Sequence, residues 1–106
     1  MDASALTEFL LDEEGHPSVA EIILDEECEV FVPHLCDVEV ASTLRSAIAR
    51  KSIDVTRATE ALEHYGGLPL ERVGHVPLLR QMLALRENFS AYDATYVALS
   101  EATGAP

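Results

Sequence analysis

Val30-Phe31-Val32, closed by Pro33, is the most strand-like stretch in a chain otherwise patterned for helices. A weaker second candidate, 68–73, alternates apolar and polar residues with Pro69 near its start. The sequence between them is patterned for two helices, and two more helices flank each side. The expected order is helix, helix, strand, helix, helix, strand, helix, helix. Strands separated in this way point to a parallel pair, because parallel strands need crossover connections, and an α/β domain follows. Two strands are few for such a sheet, so further strands are expected before Asp2 and after Gly104.

The helices announce themselves by caps and spacing. Ala5, Leu6, Phe9 and Leu10 recur at helical intervals behind Asp2 or Ser4. Gly15-His16-Pro17 breaks the chain, and Ser18 and Glu21 are spaced as a capping box for a helix through Val19, Ile22 and Ile23 that runs out in Asp25-Glu26-Glu27. In the longest helix, 35–51, Val40, Leu44 and Ile48 form the core-facing row, with Ala41 and Ala47 beside it. Glu39 lies on another face with Leu35, Ser42 and Ser46, where the two serines leave its carboxylate open to approach. Asp54 caps a helix with apolar positions Ala58, Ala61, Leu62 and Tyr65, stopped by Gly66-Gly67. Pro77 opens another through Leu78, Leu79, Met82, Leu83 and Leu85. The last begins at Ser90 with Asp93 at N3, a variant capping box, carries Tyr92, Tyr96 and Leu99 as an apolar stripe, and ends at Gly104.

No repeat, linker or low-complexity segment interrupts the 106 residues, which predicts one domain over 1–106. The N-terminus, Met-Asp-Ala-Ser, has no basic start or apolar run, and no stretch approaches a membrane span, so a cytoplasmic address and no membrane contact are expected. Cys28 and Cys36 are expected as free thiols, with a disulfide or a metal pair involving His34 as alternatives. Seven basic residues stand against nineteen acidic ones, a net charge of −12 that disfavours binding nucleic acid through a basic surface. Two routes to a partner remain: divalent cations held by carboxylates and bridging to phosphate, or a basic partner protein.

Three acids stand out by position: Asp2 at the entry to the first helix, Glu39 on the small-residue face of the third, and Asp93 at the head of the last. Separated carboxylates brought together by a fold suit hard cations such as Mg²⁺ and Mn²⁺. Each also has a plain alternative as cap, surface residue and N3 carboxylate respectively, and spacing alone does not choose between them.

Four blocks occur in order along the chain: Asp2-Ala3-Ser4-Ala5-Leu6; Val32-Pro33-His34-Leu35-Cys36-Asp37-Val38-Glu39-Val40 leading to Leu44-Arg45; Leu68-Pro69-Leu70; and Ser90-Ala91-Tyr92-Asp93-Ala94-Thr95-Tyr96-Val97-Ala98-Leu99-Ser100-Glu101. Together they resemble a PIN domain of the VapC toxin type across essentially the whole chain, the last block being the most specific. The resemblance implies a metal-dependent endoribonuclease of a toxin–antitoxin system, acting on RNA and held inactive by a cognate antitoxin. It also implies Mg²⁺ or Mn²⁺ as cofactor, homodimerisation, and Asp2, Glu39 and Asp93 as catalytic, metal-holding acids. Ser4 matches a position that helps orient the first acid. Arg45, Arg50 and Lys51 offer RNA backbone contacts, against the alternative of a solvated helix end whose cations suit the dipole.

Family members open with an apolar strand ending at the first acid, and continue past the last helix into another strand, a Thr-rich turn and a fourth acid. Here only Met1 precedes Asp2, and Gly104-Ala105-Pro106 closes the sequence. The expectation is therefore a PIN-like α/β fold, a parallel sheet flanked by helices, with its N-terminal and C-terminal strands missing or shortened. A catalytically inactive PIN remnant that dimerises or binds an antitoxin is the alternative, and a small acidic helical interaction module a third.

Overall fold

The computed structural model describes residues 1–11 and 17–104. The predicted break at Gly15-His16 and the Ser18 side chain of the predicted capping box lie outside the described residues. Two strands, β1 (Val30–Pro33) and β2 (Leu70–Val73), pair in parallel with Val30 opposite Leu70 and Pro33 opposite Val73. Helices α1 (Ala3–Leu11) and α2 (Pro17–Leu24) precede β1, and α3 (His34–Ala49) and α4 (Val55–Gly66) make the crossover. A 3₁₀ turn (Val76–Leu78), α5 (Leu79–Ala84) and α6 (Ala91–Thr103) follow β2. The expected element order and the parallel sheet are both present, which removes the purely helical alternative.

Side chains on a strand alternate between faces, and that alternation organises the interior. Val32 and Leu70 turn toward a cluster built from Leu6 and Leu10 of α1, Cys36, Val40 and Leu44 of α3, and Ala61 of α4. Phe31 and Val73 turn the other way, toward Leu78, Ala98 and Leu99. The short sheet is thus covered on both faces, as a parallel pair requires. Leu6 and Leu44 are almost completely enclosed, and each contributes roughly 1.5–3 kcal/mol of burial.

Several helix ends form as the sequence predicts. The Asp54 side chain accepts a 2.8 Å bond from the Arg57 amide to cap α4, and Arg57 Nη2 donates to the Leu10 carbonyl at the end of α1. Gly104, at φ 68°, closes α6 in the left-handed conformation that glycine adopts without a Cβ penalty. The longest helix stops before the predicted 51. The Ser52 amide returns to the Ala47 carbonyl and the Lys51 amide to that of Ile48, both at 2.9 Å, a Schellman closure with Lys51 in the left-handed region at φ 61°. Lacking a side-chain cap, α3 instead has its Leu35 amide donating to His75 Nε2 at 2.9 Å.

Other expectations need correction. Tyr92 is not part of a buried stripe; it is exposed, and α6 buries Ala94, Thr95, Ala98 and Leu99. With Ser90 as cap, Tyr92 falls at N2, on the flank of the helix away from the sheet. Ala41 and Leu62 are likewise exposed, while Ala47 and Ala61 on the same helices are buried. The apolar run after Pro77 begins as a 3₁₀ turn, and its buried member is Leu78 while Leu79 and Leu83 face outward. Both cysteines are free, Cys36 buried and Cys28 half-buried. No helix among the described residues is long and apolar enough to cross a membrane.

Candidate active site

Asp2 precedes α1, Glu39 lies on α3 and Asp93 on α6, and the fold brings all three to one cleft of about 270 Å³, with Ser4, Tyr96 and Val97 among its other walls. The first turns of α1 and α6 border this cleft. Acids belong at such positions, because a helix start carries partial positive charge and unsatisfied amides.

Each carboxylate is held differently. Asp2 is the cap of α1, its Oδ1 accepting a 2.9 Å bond from the Ala5 amide. The backbone amide of Ala5 thus orients the first acid, and Ser4 lines the cleft beside it. Glu39 is half-buried and accepts a hydrogen bond from the Tyr96 hydroxyl. Tyr96 thus reaches Glu39 from α6, while Ser42 and Ser46 on the same face of α3 stay exposed. At the third position, Ser90 Oγ accepts from the Asp93 amide at 3.1 Å. The return bond of a full capping box is not among those formed, so the Asp93 carboxylate has no protein partner among the described residues.

An all-carboxylate donor set matches a hard divalent cation such as Mg²⁺ or Mn²⁺. The acids share a cleft without closing into a tight cluster: among the described residues, no three His, Cys, Asp or Glu side chains stand in a ligating group. The proposed metal pair of cysteine with His34 gains no support from that geometry either. Among the described residues, no basic side chain lines the cleft.

The chain is 37% identical over 102 residues to ribonuclease VapC9 of Mycobacterium tuberculosis, a match covering 96% of this chain and 76% of that protein. It is 35% identical to ribonuclease VapC1 and 31% identical to ribonuclease VapC12 of the same organism, over the full length of this chain and 80% and 81% of theirs. This chain belongs to the VapC ribonuclease family. No protein-family model matches it.

Within this VapC-family chain, two features escaped the sequence. Tyr96 was expected in an apolar stripe, yet its hydroxyl serves Glu39; its place three residues after Asp93, on the same side of α6, was the available signal. Burial and then the Glu39 bond push its phenol pKa far above the ordinary range. The second is a network beside the cleft. Asp37 accepts 2.6 Å from the Tyr65 hydroxyl and 2.9 and 3.1 Å from Arg72 Nε. Arg72 reaches it because β2 turns Leu70 and Arg72 to the same face. Burial raises the Asp37 pKa, but the bonds from Tyr65 and Arg72 outweigh it and leave the carboxyl below its usual value. Arg45, Arg50 and Lys51 are all exposed. Lys51 follows the end of α3, and none of the three is among the residues lining the cleft.

Proposed function

We propose that this chain is a metal-dependent endoribonuclease that cleaves RNA, the toxin of a toxin–antitoxin pair, with Asp2, Glu39 and Asp93 holding Mg²⁺ or Mn²⁺. One observation carries this reading: carboxylates from residues 2, 39 and 93 line a single cleft with no basic side chain among its described residues. A cleft so charged repels phosphate unless a cation intervenes. When bound, a divalent cation supplies Lewis acidity that activates water against a phosphodiester and offsets charge in the transition state.

The chain's own residues orient and fix. The Ala5 amide holds Asp2, Tyr96 holds Glu39, and Asp93 presents an unengaged carboxylate from a rigid helix start. The starts of α1 and α6 add positive dipole ends where the phosphate would lie. The same reading gives the chain a cytoplasmic address, a homodimeric state and a cognate antitoxin, whose basic segments would suit a surface of net charge −12.

The test is cleavage of single-stranded RNA by the purified chain with Mg²⁺ or Mn²⁺. Cleavage that stops in excess chelator and in Asp93→Asn supports the reading. Cleavage that persists in chelator sinks it. A chain that binds a small basic partner yet cuts no RNA under any metal condition would instead be an inactive PIN remnant.

A further inference from the structure

We infer that Tyr96 is a positioning residue for the acid cleft, holding Glu39 at a set distance from Asp93. The inference rests on the reading of the three acids as metal ligands. Tyr96 and Asp93 leave α6 on the same side and both line the cleft. The Tyr96 hydroxyl crosses to Glu39 Oε1 on α3, 57 residues away in sequence. That bond engages one carboxylate oxygen and stops the group rotating, so Oε2 is presented in a fixed direction.

The hydroxyl is itself well anchored, because the Tyr96 ring packs against the core that contains Leu6, Cys36 and Val40. Hydrogen bonds that orient a ligating carboxylate are worth roughly 10- to 100-fold in metal affinity or activity. The molecule also supplies a control. Tyr65 makes the same kind of bond, hydroxyl to carboxylate at 2.6 Å, to Asp37 on the same helix, and neither residue lines the cleft.

The experiment measures Mn²⁺ affinity by electron paramagnetic resonance of the free ion, on the full chain and on Tyr96→Phe, Tyr65→Phe and Asp93→Asn. Thermal melting and RNA kinetics accompany each variant. Tyr96→Phe is expected to bind Mn²⁺ roughly 10- to 100-fold more weakly and to lose kcat in proportion, with KM for RNA unchanged. Tyr65→Phe is expected to melt at lower temperature and keep wild-type Mn²⁺ affinity. Equal Mn²⁺ binding by Tyr96→Phe and wild type, or equal weakening in Tyr65→Phe, overturns the inference.

A second measurement needs no tyrosine variant. The chain has no tryptophan, so its tyrosine emission is visible, and a Mg²⁺ titration should change it saturably in wild type but not in Glu39→Gln. An unchanged wild-type signal also overturns the inference. If Asp93→Asn abolishes Mn²⁺ binding while Tyr96→Phe retains it, the metal site stands and the role of Tyr96 falls. If wild type binds no better than Asp93→Asn, the site reading falls and takes this inference with it.

Discussion

Asp37 and Arg72, 35 residues apart in sequence, meet through two bonds from one guanidinium nitrogen, at 2.9 and 3.1 Å. With Tyr65 donating to the same carboxylate and its ring 5.3 Å from the Arg72 guanidinium carbon, the pair ties α3, α4 and β2 together. Glu39, one half-turn further along α3, is therefore carried on a helix tied to both α4 and β2.

The Asp37 carboxyl is held below its ordinary pKa, so its contribution to stability is complete above the unfolded value near 4 and fades as pH falls through the lower folded value. Asp37→Asn should be less stable at neutral pH by about 1 kcal/mol or less, since the pair is partly solvated. That deficit should shrink toward pH 3. Urea midpoints at pH 7 and pH 3 check this, and a deficit of the same size at both contradicts it.

Tyr65 and Tyr96 both have phenols raised far above the ordinary value near 10, first by burial and then by their hydrogen bonds. A raised folded pKa contributes stability below the unfolded value that is lost at higher pH. Phenolate absorbance should therefore leave two of the three tyrosines neutral until the chain unfolds in alkali. Ionisation of all three in a single step preceding unfolding would be the contrary result.

Asp93→Asn separates the two roles open to that residue. The cap of α6 runs from the Asp93 backbone amide to Ser90 Oγ, which the substitution preserves, so the stability loss should be limited to the dipole contribution of about 0.3–1 kcal/mol. RNA cleavage should fall by several orders of magnitude. Ser90→Ala should do the reverse, costing about 1 kcal/mol with cleavage retained. Melting curves and cleavage rates measured side by side distinguish the outcomes.

Lys51 closes α3 at φ 61°, a conformation costly for a residue with a Cβ. Lys51→Gly should stabilise the chain by about 0.5–1 kcal/mol after allowing for the added freedom of the unfolded state. If Lys51 also touches RNA, the same variant will raise KM. A lower urea midpoint would show that the stem of the lysine side chain packs better than the backbone strain suggests.

Local features were legible in the sequence because each depends on residues within one turn or one strand. The caps at Asp54 and Ser90, the stop at Gly104, the strand at 30–33 and the order of all eight elements are of this kind, while the sequence leaves open the choice between Asp2 and Ser4 at the first helix. The family blocks went further and singled out Asp2, Glu39 and Asp93. What the tertiary structure alone decided is which long-range partners those residues meet. Two acids two positions apart on α3 go to different tyrosines, Asp37 to Tyr65 and Glu39 to Tyr96, and no local period distinguishes them. Only the side chains that other elements send to α3, Tyr65 of α4 and Arg72 of β2 to Asp37 and Tyr96 of α6 to Glu39, make one acid part of a structural clamp and leave the other in the cleft with Asp2 and Asp93.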